Sequence, residues 1–208
     1  MDYLLQHIID NNMADGEQTT SVFATIKRRR SIGKMTEEVP TREQIERMLE
    51  AAVYAPNHHT TEPWRFFVLL GQARHELGKI MQQALAEQLL ETTSEKAQAR
   101  LNKARNKPLR APVIIIVVSV RAERAGVQDI EDLEATAAAV QNMLLVAEEL
   151  GLACIWRTGD AAYAPQVKRW LGIAEEDHIV ALLDVGFPAI KREEHPVRSI
   201  KEKTIWLD

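Results

Sequence analysis

The spacing of apolar residues along the chain predicts an alternation of helices and strands. Residues 41–52 place apolar side chains every three or four positions behind a capping box of Thr41 and Gln44, which is typical of an amphipathic helix. The same spacing predicts helices over residues 22–29, 77–85, 91–107, 131–150 and 165–171. Short apolar and β-branched runs predict strands over residues 64–70, 113–120, 152–156 and 178–185.

Two of these segments are apolar enough to lie in the interior. The strand over residues 113–120 reads VIIIVVSV, and such a continuous run predicts a central strand that is covered on both faces. The helix over residues 131–150 is apolar almost all round in its middle, so we expect it in a core or an interface. The helix over residues 91–107 has a narrow apolar stripe, which predicts a peripheral position.

Both ends of the chain differ from the middle. Residues 1–20 carry a short helical pattern that polar residues interrupt, which predicts an N-terminal extension ahead of one domain over residues 21–208. The tail after residue 190 has no helical period and ends in Thr204, Ile205, Trp206 and Leu207. This β-prone end predicts a C-terminal arm that pairs with another surface.

Composition and charge restrict the class of protein. The 208 residues include 26 Lys and Arg against 30 Asp and Glu, a formal net charge of -4, which argues against binding nucleic acid through its phosphates. The longest apolar run is less than half of the roughly 20 residues that a membrane-spanning helix needs. The N-terminus lacks the basic start of a secretory signal, and the single Cys154 allows no intrachain disulfide. We therefore expect a cytoplasmic protein without a membrane partner.

Arg28, Arg29, Arg30 and Ser31 form a basic cluster at the end of the first predicted helix of the domain. Two interpretations of this cluster stay open. The cations are placed where they stabilise a helix C-terminus, and guanidinium and hydroxyl groups also match the oxygens of a phosphate. Lys191 and Arg192 follow the last predicted strand and would complete such an anion site.

Two further segments are candidates for ligand binding. Polar residues between Pro56 and Pro63 form a loop that joins a helix to a strand, and loops on rigid scaffolds frequently carry function. The loop contains adjacent His58 and His59, but no third ligand stands at a zinc-site spacing, so hydrogen bonding to a ligand is favoured over metal binding. Residues 156–159, Trp-Arg-Thr-Gly, end an apolar strand in which Cys154 is predicted to be a core residue.

The sequence contains no serine elbow, His-rich metal motif, carboxylate pair or glycine-rich phosphate loop. A binding site without an acid or nucleophile of its own is typical of a protein whose cofactor carries the chemistry. Four strands interleaved with helices would fit a doubly wound sheet, but the phosphate loop of that fold is missing.

In chain order, several motifs resemble the nitroreductase family of FMN-dependent NAD(P)H oxidoreductases. The motifs are Arg29-Arg30-Ser31, Ala55-Pro56 through Glu62-Pro63-Trp64-Arg65-Phe66, Lys103-Ala104-Arg105-Asn106 ahead of Arg110-Ala111-Pro112, Ile155-Trp156-Arg157, and Gly186-Phe187-Pro188. The resemblance implies an α+β fold, with a mostly antiparallel central sheet wrapped by helices, in place of the doubly wound alternative. It also implies an intertwined homodimer with FMN at the interface, in which helix 131–150 is interface core and the C-terminal arm lies on the partner.

The resemblance assigns residues to the cofactor as well. Arg29, Arg30 and Ser31 would contact the FMN phosphate, ribityl chain and pyrimidine edge, and Lys191 or Arg192 would complete the phosphate site. Asn57, His58 and Thr60 would reach the flavin that is bound mainly by the other subunit. The isoalloxazine would lie against Trp156, Arg157, Thr158 and Gly159. No side chain is assigned as catalytic and no metal is implied, because flavin N5 carries the chemistry.

The implied reaction is a ping-pong transfer of hydride from NADH or NADPH through FMN to a nitroaromatic, quinone or similar acceptor. The alternative is a non-catalytic FMN-binding or redox-sensing protein of the same fold. The chain departs from the family pattern at Gly33, where a basic residue is frequent, and at Thr60 and Glu62, where Asn and Gln are common. Residues 1–20 have no clear family counterpart.

Overall fold

The computed structural model describes residues 21–122, 126–159, 163–190 and 199–207, so the predicted extension over residues 1–20 lies outside it. The α-helices of these residues are α1 Val22–Arg28, α2 Arg42–Ala52, α3 Gly71–Gln88, α4 Glu95–Asn106, α5 Asp129–Glu149 and α6 Pro165–Leu171. The strands are β1 Trp64–Leu69, β2 Val113–Ser119, β3 Ala153–Arg157 and β4 His178–Gly186. Short 3-10 turns cover His58–Thr60, Lys107–Arg110 and Ile200–Lys203.

The four strands form one antiparallel sheet in the order β1-β2-β4-β3. β2 lies inside the sheet, and every residue of it is buried because helices cover both faces. The predictions of an α+β fold and of a central strand near residues 113–120 are therefore confirmed. The doubly wound alternative is wrong, since each described strand pair is antiparallel.

Separate apolar cores lie on the two faces of the sheet. α2 and α5 cover one face, where Met48 and Met143 pack with Ile115. α3 and α6 cover the other face, where Leu77 and Val167 belong to the second core. α4 packs on α3, which gives this side of the sheet a second layer of helix.

Three predicted helix starts are wrong: α3 begins at Gly71, ahead of the predicted residues 77–85, and local capping sets the starts of α4 and α5. α4 begins at Glu95 and not near residue 91, since Ser94 accepts a hydrogen bond from the Ala97 N–H as the N-cap. Glu91 accepts hydrogen bonds from the backbone N–H groups of Thr93 and Ser94, which shapes the turn ahead of the helix. α5 begins earlier than predicted, at Asp129, behind a capping box of Gln128 and Glu131.

The C-terminal residues extend away from the rest of the chain. Ile205, Trp206 and Leu207 are 86%, 85% and 92% exposed, and residues 204–207 form no strand within the described structure. Within the described residues the predicted arm pairs with no strand of its own chain, and its partner surface stays a prediction. Among the described helices, none is both long and apolar enough to cross a membrane.

Candidate active site

The segment after α1 runs along the outer edge of β3 and brings distant parts of the sequence together. Ser31 forms a parallel bridge with Cys154, and the Ile32 N–H donates to the Cys154 carbonyl at 3.3 Å. Met35 then pairs with Pro188. Three distant segments therefore meet at one edge of the sheet, namely the basic cluster, β3 and residues 186–188. The order of these motifs along the chain does not predict this meeting.

The three arginines of the basic cluster have different environments. Arg30 Nη1 donates to the carbonyls of Lys27, Arg28 and Arg29 at 2.6, 3.2 and 2.8 Å, so it caps the end of α1. Arg28 Nε pairs with Glu148 at 2.8 Å. Arg29 is half-buried and forms no ion pair with a described residue. The helix-end interpretation thus applies to Arg30 Nη1, while the Arg30 Nε is buried without a hydrogen-bond partner among the described residues and the Arg29 donors remain for an anion.

Cys154 is a core residue, as predicted. Burial raises the pKa of its thiol to about 12, with the Asp184 carboxylate adding to the rise and the Arg29 charge opposing it. The thiol stays protonated at neutral pH and is not a nucleophile.

A cavity of about 340 Å³ lies beside the end of β3. Its apolar lining comes from Leu77, Met81, Pro108, Ile114 and Leu182. Its polar lining comes from Lys107, Arg110, Arg157, Thr158, Gly159 and Asp184. Apolar walls with a few convergent polar groups are typical of a small-molecule site. We call this the β3 cavity.

The turn after β3 is shaped by Trp156 and Gly159. Trp156 borders the β3 cavity, but its indole N–H donates to the Val180 carbonyl at 2.9 Å and its ring packs against the core under α2 and α5. Gly159 has a φ of 92°, which favours glycine because a side chain would be strained there. The indole therefore fixes the turn, and the residues that follow form the wall of the cavity.

Arg157 is held in the β3 cavity by a buried carboxylate. Its Nε donates to Asp184 Oδ2 at 2.5 Å, and Asp184 is 4% exposed. Burial raises the pKa of Asp184, while the Arg157 hydrogen bond and the Arg157 and Arg110 charges act in the opposite direction. A Cβ on Gly33 would lie 2.8 Å from an Arg157 Nη atom. Gly33 therefore leaves the space that the Arg157 guanidinium fills.

The proline-flanked loop lies before β1, and its backbone is strained. His59, Thr60 and Glu62 have φ angles of 53°, 55° and 45°, in the left-handed region that costs about 1–3 kcal/mol for a non-glycine residue. Contacts to the start of α5 hold this conformation. Thr61 Oγ1 donates to Asp132 Oδ1 at 2.7 Å, and His58 Nδ1 lies 2.8 Å from Glu131 Oε2.

Within one chain the loop and the β3 cavity are apart. β1 and β3 are the two outer strands, about 14 Å from each other at the usual strand spacing. Asn57 accepts a hydrogen bond from the Glu62 N–H, and none of Asn57, His58 and Thr60 lines the β3 cavity. The structure therefore does not bring these three residues to Arg157 and Gly159 within a single copy.

The remaining predictions for the site concern residues 191 and 192 and metals. Lys191 and Arg192 lie outside the described residues. In the described part of the chain, no three His, Cys, Asp or Glu side chains cluster in a way that would hold a metal ion. The two histidines that are candidate metal ligands in the sequence, His58 and His59, instead stack their rings with centroids 4.1 Å apart.

Sequence reasoning missed Lys107, Arg110 and Asp184 as residues of the site. Lys107 and Arg110 flank Pro108 in the turn before β2, and the fold places this turn next to the end of β3. Asp184 is the one acidic residue in the otherwise apolar end of β4, which was a usable indication of a buried polar contact.

Comparison with known proteins decides the family. A sequence model of the nitroreductase family matches residues 26–187. The chain belongs to the nitroreductase family. It is 36% identical over 163 residues to YdjA of Escherichia coli K12, which carries the provisional name NAD(P)H nitroreductase, with 78% of this chain and 86% of YdjA covered.

Solved structures of nitroreductases share the fold. A nitroreductase-like family protein from Bacillus cereus superposes with a TM-score of 0.79 at 29% identity, covering 91% of this chain and 97% of that one. A structure from Desulfovibrio desulfuricans in complex with FMN has a TM-score of 0.67 at 25% identity, covering 91% and 98%. The predicted nitroreductase family, its fold and its class of oxidoreductase are confirmed.

Proposed function

We propose that this nitroreductase binds FMN and transfers reducing equivalents from NADH or NADPH to small acceptors such as nitroaromatics or quinones. The FMN complex of the Desulfovibrio relative and the NAD(P)H in the name of YdjA support these cofactors. The observation that carries the proposal is the β3 cavity, which has three cationic side chains and adjoins the sheet edge that carries Arg29 and Ser31.

The residues at this edge fit FMN. Arg29 and Ser31 would hold the phosphate, together with Lys191 or Arg192, while Arg30 would shape the site from its position at the end of α1. Thr158 and Gly159 would border the isoalloxazine next to Trp156. FMN, when bound, supplies the hydride chemistry at N5. Among the described residues that line the β3 cavity, Asp184 is the one acidic side chain, and its Oδ2 accepts the Arg157 hydrogen bond.

Arg157 supplies the positive charge that family members frequently carry two positions after the serine. The position holds Gly33 in this chain, and the Arg157 guanidinium lies against it. A cation fixed beside the flavin pyrimidine stabilises negative charge there without reorganisation, because Asp184 already orients it. This substitution of one cation for another explains how the departure at Gly33 is compatible with flavin chemistry.

We also propose that the donor and the acceptor occupy the β3 cavity in turn, which gives ping-pong kinetics. The cavity adjoins the turn over Thr158 and Gly159 that is assigned to the flavin. Successive occupation of one space follows if both substrates must reach the same face of the ring.

A homodimer would complete the site. The strained loop with Asn57, His58 and Thr60 is too far from the β3 cavity of its own chain, so a second copy would have to supply it. Apolar side chains are exposed on α1 and at the C-terminal end, where Phe23 is 65% and Trp206 is 85% exposed. Exposed apolar surface of this kind is available for contact with a second copy. We expect sedimentation equilibrium at micromolar concentration to give twice the chain mass, and a monomer that binds and reduces FMN normally would contradict this arrangement.

Replacing Arg29 by Ala is expected to weaken FMN binding by about tenfold or more, because a charge-assisted hydrogen bond to phosphate contributes about 1.5–3 kcal/mol. The dissociation constant is measured by quenching of FMN fluorescence during titration of the apoprotein. Arg28→Ala is the matched control, since Arg28 pairs with Glu148 at the surface and should change the affinity less than twofold or so. Equal affinities of the two variants would contradict the role of Arg29.

A further inference from the structure

A groove leads from the surface into the β3 cavity along the seam between α3 and α4. Its outer part is lined by Leu85, Gln88, Lys96 and Arg100, and its middle part by Gln88, Arg100, Lys103 and Lys107. The middle part shares Met81 and Lys107 with the β3 cavity. The three cavities share lining residues and so adjoin one another, and we call the outer and middle parts together the α3–α4 groove. A ligand in it would reach the β3 cavity with one end.

Four cationic side chains follow one wall of the groove. Lys96, Arg100, Lys103 and Lys107 are spaced by four, three and four residues, which places them on one face of α4 and of the turn after it. Each of them borders one of the three cavities. Within the described residues, none of the four forms a hydrogen bond or an ion pair.

The carboxylates near the groove are already occupied. Glu91, at the outer end, accepts hydrogen bonds from Thr93 and Ser94, and these bonds lower its pKa. Glu87 accepts a hydrogen bond from Gln166 at 2.5 Å. Glu91 keeps its negative charge, but it is the one acidic side chain among the described residues that line the groove, so four cations face it against one carboxylate, and a row of like charges of this kind attracts an extended anion.

The groove restricts the chemistry of that anion. The row from Lys96 to Lys107 is about 16 Å long at the rise of an α-helix, so one compact anion does not engage all four cations. The inner end lies next to the place assigned to the flavin, so a ligand with a redox-active end and several phosphates fits both parts of the groove. A pyridine dinucleotide has both features, and NADPH carries a further phosphate on its adenosine ribose.

We propose that the α3–α4 groove binds the phosphate-bearing half of the reducing dinucleotide and makes the enzyme prefer NADPH to NADH. The inference rests on the proposed function. Lys107 holds the phosphates next to the β3 cavity, and Arg100 and Lys103 hold those farther out. The ribose 2'-phosphate, which distinguishes NADPH from NADH, lies between Arg100 and Lys96 in the outer part of the groove.

The test uses the FMN-loaded protein and two readouts. Binding of 2',5'-ADP and of 5'-AMP is measured by calorimetry, and reduction of bound flavin by NADPH and NADH is followed anaerobically by stopped-flow absorbance. The variant R100Q/K103Q removes two cations from the groove. Arg105→Gln removes one cation from the opposite face of α4 and serves as the matched control, because Arg105 lines none of the three cavities.

We expect the protein to bind 2',5'-ADP at least about tenfold more tightly than 5'-AMP. R100Q/K103Q should bind 2',5'-ADP about tenfold more weakly than the wild type, and Arg105→Gln should bind it as the wild type does. The half-saturating concentration for reduction should rise more for NADPH than for NADH. Equal binding of the two nucleotides, or equal effects of the two variants, overturns the proposal. The proposal is also overturned if R100Q/K103Q slows the reoxidation of reduced flavin by 4-nitrobenzoate but leaves its reduction by NADPH unchanged. The groove would then bind an anionic acceptor.

The same data separate this inference from the proposed function. Flavin that is reduced equally well by NADH and NADPH, in the wild type and in both variants, overturns the role of the groove alone. Bound flavin that neither nucleotide reduces at saturation contradicts the proposed function, whatever 2',5'-ADP does.

Discussion

Replacing Arg157 by Leu is expected to lower the free energy of unfolding by about 3 kcal/mol at pH 8, because it leaves a buried carboxylate without its partner. Asp184 is 4% exposed and its Oδ2 accepts the Arg157 Nε hydrogen bond. The figure lies at the low end for a broken buried ion pair, since the Arg157 side chain is 36% exposed. Urea denaturation of wild type and variant measures the difference.

The loss of stability in this variant should depend on pH. Burial raises the pKa of Asp184 above its ordinary value of 3.8, and removal of Arg157 takes away the cation that opposes this rise. A carboxyl with a higher pKa in the folded than in the unfolded state binds more protons when folded, so stability falls as pH rises between the two values. The difference in the free energy of unfolding between wild type and Arg157→Leu should therefore become smaller as the pH is lowered from 8 toward 4.

A double variant provides the control for the ion pair. R157L/D184L replaces both charges by apolar groups, which is frequently close to neutral for a buried pair, so it should recover most of the lost stability. A double variant as unstable as Arg157→Leu, or a deficit that is the same at pH 5 and pH 8, would contradict the coupling of Arg157 to Asp184.

Gly78→Ala is expected to destabilise the protein by about 2 kcal/mol, although alanine in a free helix is favoured over glycine by about 1 kcal/mol. Gly78 is buried in α3, where a Cβ would come to 2.1 Å from the backbone carbonyl oxygen of Arg105 in α4. Since a backbone atom cannot swing aside as a side chain does, the two helices must separate. Thermal denaturation measures the loss.

Gln83→Ala is the matched control for the packing of α3 on α4. Gln83 is exposed on the same helix, so this change should alter stability by less than about 0.5 kcal/mol. Separation of the helices should also widen the α3–α4 groove and weaken 2',5'-ADP binding in the Gly78 variant. A Gly78→Ala protein as stable as the Gln83→Ala protein would show that the close approach of the helices is not required.

Local patterns predicted most of the fold because its elements have strong sequence features. The capping box of Thr41 and Gln44 starts α2 as predicted, and the run from Val113 onward forms the buried strand β2. The order of the strands in the sheet depends on contacts between distant segments, so periodicity alone left a doubly wound sheet open. The resemblance to a family decided between the two.

The site was harder to predict, because the residues of the β3 cavity are distant in sequence. Lys107 and Asp184 come from a turn before β2 and from β4, and the fold alone brings them to Arg157. The basic cluster shows the same limit. Arg29 and Arg30 are neighbours in sequence and both are half-buried, yet Arg30 caps the end of α1 and Arg29 forms no ion pair with a described residue.

The central claim is that a flavin bound beside the β3 cavity, at the turn over Thr158 and Gly159, is reduced by a pyridine nucleotide. The most direct test is the absorbance spectrum of the FMN-reconstituted protein during anaerobic addition of NADPH or NADH, followed by a quinone or a nitroaromatic. We predict that the flavin bands bleach with the nucleotide and return with the acceptor. Protein that takes up no FMN, or bound FMN that neither nucleotide bleaches, would contradict the claim, and the second result would instead indicate a flavin-binding protein without this activity.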